Sequence, residues 1–473
     1  MNVMVLWQRL PRYARSIRLA RPLSCFTSVV MLSIMISSLP LSASWAVAQV
    51  AKTQPDADAL LQQGMQQYQT HQLQSALQSL QHAATRYQAL GARQHQTQTL
   101  AVSGDVYVAL GNYRQAREAY QQGLAIAHTL NNPPLQATIM LSLGEVQSAL
   151  GQHDQAVETL QNCLMIAKQK GDRTLEGQAL RALGDTDAAS GRFSQAQKSY
   201  EQGLSIARSI SNPLLEATTL FGLSSVQSVL GHPQQAVVTL QTGLKISQRM
   251  NNRRLEGEAL KGLGATEQVL GNHSQALAYE EKGLAIASAI HNQALEASVL
   301  LDLGTIDTSL GKPDRAIDHC QQSLAIARQL GDVQKESQAL HALGNAYVAQ
   351  HQFAQAVQSL QQSLFIVQEF QNPQSEEEIL LDLGLAYHGL GNYIDAMEAQ
   401  QNALTLAQTM HLTVQTAKAL NNLGRTAQAL KNYPNAAAYY QQGLAIAQAI
   451  PEPVLINNLL ANLRNVQHLL SNR

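Results

Sequence analysis

Fourteen histidines and three cysteines are the side chains here most able to act as base, nucleophile or metal ligand. His319 and Cys320 stand side by side. Neighbours on a helix project about 100° apart, so these two cannot act together as a nucleophile–base pair. No Cys or His spacing of metal-binding type occurs, and no serine elbow between a strand and a helix. A second candidate is a ladder of carboxylates: Glu176, Glu216, Glu256, Glu296, Glu336 and Glu376. Each stands four residues after Asp172, Asn212, Asn252, Asn292, Asp332 or Asn372, residues that cap helices and form turns. A carboxylate in a first helical turn meets the positive end of the helix dipole, worth about 0.3–1 kcal/mol, and that accounts for all six without acid/base chemistry. No enzyme activity, cofactor or metal is expected.

The elements that carry these residues recur every 40 positions. The stretch Arg253–Asn292 shows the unit: Leu263-Gly264 returns as Leu143-Gly144, Leu183-Gly184, Leu303-Gly304, Leu343-Gly344, Leu383-Gly384 and Leu423-Gly424. Gly64 and Gly104 keep the glycine alone, and Ser224 replaces it once. An alanine follows twelve residues later in every unit, from Ala76 to Ala436. Such strict self-similarity marks a solenoid of stacked units. In the first half of the unit Leu260, Leu263, Gly264 and Leu270 share one helical face, and Gly271-Asn272 ends that helix. Ala276, Gly283, Leu284, Ile286 and Ala287 form the matching face of a second helix. The small residues let two helices approach closely, so the glycines serve packing and do not cradle a ligand.

The pattern resembles the tetratricopeptide repeat over residues 57–470. Gly104, Gly144, Gly184, Gly264, Gly304, Gly344, Gly384 and Gly424 match the family's small first-helix residue. Tyr107, Tyr347 and Tyr387 match its aromatic three positions on, and the ten alanines match its early second-helix alanine. The 40-residue unit is longer than the common one. It is similar to the repeats of kinesin light chains, spindle-orienting adaptors, bacterial peptide-sensing regulators and exported cyanobacterial arrays that often precede a caspase-like domain, absent here. HEAT and armadillo repeats fit the Leu-Gly and alanine spacing poorly. The resemblance implies an all-α, right-handed superhelical solenoid of about ten helix–turn–helix units, 57–450, closed by a capping helix and tail at 451–473. Arg464 there replaces the glycine, beside Asn457, Asn458, Asn465 and Gln467.

In that family the first helices line an inner groove. Positions three before, one after and four after the glycine then give Asp105, Glu145, Arg181 and Asp185 in the N-terminal half and Lys261 in the middle. In the C-terminal half they give His341, Asn345, His388, Asn421 and Arg425, with Asn422 at a position where the family holds peptide backbone. His341, Asn345, His388, Asn421, Asn422 and Arg425 are the expected binding surface. The drift from carboxylates to amides and cations suits an extended ligand with acidic character at one end.

Residues 1–48 read as a signal peptide. Arg9, Arg12, Arg15, Arg18 and Arg21 precede an uncharged stretch from Pro22, and Ala46-Val47-Ala48 offers a cleavage site before Gln49. The alternative is an uncleaved membrane anchor through 22–50. Either way the repeats are exported, to the periplasm or beyond, because the basic end stays inside. Residues 49–56 form a short polar lead, and GARQHQTQ from Gly91 reads as a linker. Losing the five arginines moves the net charge from −1 to −6, and the mature chain holds no basic run, so it has no nucleic-acid footprint. Cys163 and Cys320, about four repeats apart, read as small buried residues. Two functions follow: a scaffold binding proteins or peptides in its groove, or a sensor that changes shape on binding a ligand. The oligomeric state stays open.

Overall fold

The computed structural model describes residues 46–449 and 452–471, which hold 21 α-helices and no strand. The expected leader lies outside these residues except for 46–48, which begin the first helix. The chain divides at Gly262/Leu263 into two compact units. In unit 1 the helices are α1 (Ala46–Gln69), α2 (Leu73–Ala89), α3 (Arg93–Ala109), α4 (Tyr113–Thr129), α5 (Pro133–Ala149), α6 (His153–Lys170), α7 (Arg173–Ala189), α8 (Phe193–Ser209), α9 (Pro213–Val229) and α10 (Pro233–Arg249). The division falls within α11 (Arg253–Val269). Unit 2 continues with α12 (His273–Ala289), α13 (Gln293–Ser309), α14 (Pro313–Leu330), α15 (Val333–Ala349), α16 (Phe353–Glu369), α17 (Pro373–Leu390), α18 (Tyr393–Thr409), α19 (Thr413–Ala429), α20 (Tyr433–Ala447) and α21 (Pro453–Ser471).

Within each unit consecutive helices pack as hairpins, and the pairs stack. A Cβ on Gly144 would stand 2.5 Å from Leu160 Cγ of the partner helix, and one on Gly344 would stand 2.6 Å from Leu360 Cγ. The absent side chain is what allows α5 to meet α6, and α15 to meet α16. None of the ten repeat alanines exposes any surface. Odd-numbered helices also touch the next odd-numbered helix, α5 on α7 and α17 on α19 for example. Each stack therefore closes up on its odd-helix side, the side that carries the expected binding residues.

The turns have their own logic. Gly111 takes φ +72°, and Asn112 N–H reaches back to the Tyr107 carbonyl at 2.8 Å, the left-handed closure of a helix C-terminus. His71, His291, His351 and His411 occupy the same left-handed position in other turns, which gives four of the histidines a backbone setting and no shared site. Asp172, Asn212, Asn252, Asn292, Asp332 and Asn372 each accept a hydrogen bond from the backbone N–H three residues on.

Two details differ from the sequence reading. GARQHQTQ is not a linker: α3 begins at Arg93, and its first turns bury Gln96, Thr97 and Thr99. The threonine hydroxyls donate to the Arg93 and His95 carbonyls at 2.9 and 2.8 Å, so polar residues fill a buried face that apolar periodicity alone does not reveal. Residues 49–56, likewise, continue inside α1.

Candidate functional site

In unit 2 the odd helices line an open cavity of about 560 Å³. His341 of α15 contributes, as do Glu378, Leu381, Asp382 and Leu385 of α17. Gln415, Lys418, Asn421 and Asn422 come from α19, and Glu452, Val454, Leu455 and Asn458 from the start of α21 and the residue before it. Measured from the repeat glycines Gly344, Gly384 and Gly424, most lining residues of α15, α17 and α19 lie six, three and two positions earlier. The cavity thus sits toward the N-terminal halves of its helices.

His341 Nε2 lies 2.7 Å from Asp382 Oδ2, which ties α15 to α17 across the rim. The Asn462 side-chain amide donates to Asn421 Oδ1 at 3.0 Å and ties α21 to α19. Leu455, Leu459 and Val466 are the buried face of α21. Three of the six expected binding residues, His341, Asn421 and Asn422, therefore converge. Asn345, His388 and Arg425 do not line the cavity. His388 and Arg425 form a neighbourhood of their own: His388 Nδ1 lies 3.1 Å from Thr426 Oγ1, whose hydroxyl donates to Gln400 Oε1 at 2.9 Å. Since that hydroxyl proton is committed to Gln400, Nδ1 carries the hydrogen in this bond. Burial first, and then the charge of Arg425, hold the His388 imidazole below its ordinary pKa. Asn345 is half-buried on α15.

Sequence reasoning missed Glu378, Asp382 and Lys418, because six before the glycine was not counted as a groove position and two before it was counted only at Asn422. They change the sign of the surface: three carboxylates, Glu378, Asp382 and Glu452, face one lysine. One signal was present, the run Glu376-Glu377-Glu378, which departs from every other repeat.

The N-terminal polar set is organised differently. Arg181 bridges Glu145 at 2.7 Å and also pairs with Asp185, whose other partner is the Tyr200 hydroxyl at 2.6 Å. Tyr120 donates to Asp105 at 2.5 Å. Burial pushes the Asp105 carboxyl up to about 7, with the Tyr120 bond opposing and Glu145 adding to the rise. Glu145 is also raised by burial, against the pull of Arg181. These side chains are spent on one another, as a structural brace between α5 and α7. Lys261 is half-buried on α11.

The chemical candidates part company. His319 Nδ1 lies 3.1 Å from the buried Asp307 carboxylate, and Arg315 Nε lies 3.4 Å from the same oxygen. Cys320 is fully buried against Gly304, and burial pushes its thiol up to about 12, as it does for Cys163. The ladder glutamates do more than meet a dipole. Glu216 and Glu336 accept from Arg208 and Arg328, and Glu296 and Glu376 from Ser288 and Gln368, each eight residues earlier at 2.8–2.9 Å. Each one ties the end of one hairpin to the start of the next. Among the described residues no group of three His, Cys, Asp or Glu could hold a metal, and no helix is long and apolar enough to cross a membrane.

Family profiles described as tetratricopeptide repeat match residues 135–209, 295–369 and 375–449, and a second such profile matches 102–162. A profile of anaphase-promoting complex subunit 5 matches 192–255. No curated protein sequence matches. Among solved structures, a Rap protein complexed with Competence and Sporulation Factor is 17% identical with a TM-score of 0.53, over 76% of this chain and 99% of that one. The apo form of the quorum sensor NprR from B. thuringiensis is 14% identical with a TM-score of 0.51, over 73% and 99%. A signal transduction ATPase with a tetratricopeptide repeat sensor from Pyrococcus horikoshii is 16% identical with a TM-score of 0.51, over 74% of this chain and 54% of that one. At these identities the likeness is one of fold. The two tetratricopeptide profiles together span more than half of the sequence, and with the hairpin stacks described above they establish that the chain belongs to the tetratricopeptide-repeat family.

Proposed function

We propose that this chain is an exported, non-catalytic scaffold that holds an extended protein or peptide segment against the odd-numbered helices of unit 2. The observation that carries this reading is the 560 Å³ cavity in which four successive odd helices bring amides, charges and leucines together. Asn422, Gln415 and Asn458 offer both N–H and C=O groups, the pair an extended backbone needs. Leu381, Leu385 and Val454 supply the apolar part of such a site. Export rests on the five arginines, the uncharged stretch after them and Ala46-Val47-Ala48.

The test is selection of a displayed random peptide library on the purified protein, followed by fluorescence anisotropy with the selected peptides. Asn422→Ala combined with Gln415→Ala should weaken binding at least tenfold, about 1.4 kcal/mol, with unchanged helicity. Peptides that bind the double variant as tightly as the parent would contradict the assignment. The alternative is a regulator that changes shape on binding, as the likeness to a quorum sensor and to a factor-bound Rap protein invites. Small-angle scattering with saturating peptide separates the two: an unchanged radius of gyration favours the scaffold, and compaction favours the sensor.

A further inference from the structure

We infer that the unit 2 cavity selects a segment presenting a basic side chain, arginine or lysine, to Glu378, Asp382 and Glu452; this rests on the cavity being a peptide site. Charge is the first argument. Three carboxylates line the cavity against Lys418 alone, and a protonated His341 would still leave the carboxylates in excess. Glu378 and Glu452 make no ion pair among the described residues, so their charge is not already spent as that of Glu145 and Asp185 is. A guanidinium can take a carboxylate bidentately, while its methylene stem lies on Leu381, Leu385 and Val454.

The second observation is independent of the lining. Glu377 exposes no surface, and neither carboxylate oxygen has a hydrogen-bond partner. Seven positions before the repeat glycine the other first helices carry small residues, among them Ala137, Gly177, Ala217, Ala297, Ser337 and Ala417. A glutamate at that crowded position has no packing rationale. It lies within electrostatic reach of Glu378, Asp382 and Lys418, all of them lining residues, and burial and the two carboxylates push it up to about 7 against the pull of Lys418. Above about pH 7, where Glu377 is ionised, its charge adds to that of Glu378 and Asp382 behind the same wall, and a cation bound there would favour that ionised form.

The test uses the full chain and ten-residue peptides of alternating alanine and serine, with arginine, lysine, citrulline or glutamate at one central position. By fluorescence anisotropy, the arginine and lysine peptides should bind at least tenfold more tightly than the citrulline and glutamate peptides. Raising salt should erode that preference. Glu378→Gln combined with Glu452→Gln should reduce it to twofold or less; both residues carry exposed surface, and circular dichroism verifies that the variant keeps its helices. Peptides that bind without preference for the cation, or a preference intact in the double variant, overturn the inference while leaving the peptide site standing. Failure of all four peptides to bind overturns the peptide site and the inference together.

Discussion

Asn462 of α21 donates its side-chain amide to Asn421 Oδ1 of α19 at 3.0 Å, so one wall of the unit 2 cavity is held by the last described helix. Asn421 was expected to face a ligand directly; its side-chain oxygen already serves to seat α21. Asn422, one residue on, lines the same cavity and makes no such bond among the described residues. Of these two asparagines, Asn422 is the one left open to a ligand in the proposed site, and Asn421 is bonded to the wall beside it.

Two glycines with different surroundings should respond to alanine with opposite signs. A Cβ on Gly144 would be 2.5 Å from Leu160 Cγ, whereas one on Gly123 has nothing nearer than 3.6 Å. Alanine favours a helix by about 1 kcal/mol over glycine at both. Overpacking at 144 costs about 1–3 kcal/mol and outweighs that gain. Gly144→Ala should lower the urea midpoint of unfolding and Gly123→Ala should raise it. The same sign at both would mean that the glycine spacing does not set how closely the helices approach.

The fold was legible because its signal is redundant: ten units repeat one pattern of leucine, glycine and alanine, and a local lapse such as Ser224 is outvoted. It failed at Gln96, Thr97 and Thr99, where polar side chains fill a buried face by bonding to their own helix. The site was half legible. Spacing shows that His341, Asn421 and Asn422 share the first-helix surface. How far along each helix the cavity lies depends on how neighbouring helices cross, which a 40-residue period does not encode. Glu378, Asp382 and Lys418 were lost for that reason, and the charge they bring to the cavity with them.

The turns between repeats separate a cap from a surface ion pair. Asp332 accepts from Lys335 N–H at 2.9 Å, and Asp332→Ala should cost about 1 kcal/mol. Glu336 pairs with Arg328 at 2.8 Å, but the arginine is half exposed, so Glu336→Gln should change stability by less than about 0.5 kcal/mol, and less still in high salt. Denaturant unfolding of both variants checks the order; a larger loss at Glu336 would make the tether, not the cap, the stronger element.

Glu377 gives a pH dependence with a definite sign. Its carboxyl titrates near 7 in the folded chain, above the ordinary value, so the folded state binds the extra proton between those limits. Its contribution is therefore most favourable at low pH and is lost as pH rises from about 4.5 toward 7. Glu377→Gln removes the charge and keeps the shape. It should be more stable than the parent at pH 8 by about 1–3 kcal/mol, the added cost of a charged over a neutral unpaired buried group, and about equal at pH 4.5. Thermal melts at the two pH values decide it; a variant less stable than the parent at pH 8 would mean that the carboxylate has a compensating partner.

The most direct measurement is site-specific photo-crosslinking of the full-length protein in the cells that make it. Benzoylphenylalanine replaces Asn422 in the cavity in one variant and Phe365, 66% exposed on the even helix α16, in another. The probe at 422 should capture a discrete protein adduct that excess arginine-bearing peptide competes away, and the probe at 365 should capture none. An adduct from 365 with none from 422 would contradict the assignment of binding to the odd-helix side of unit 2.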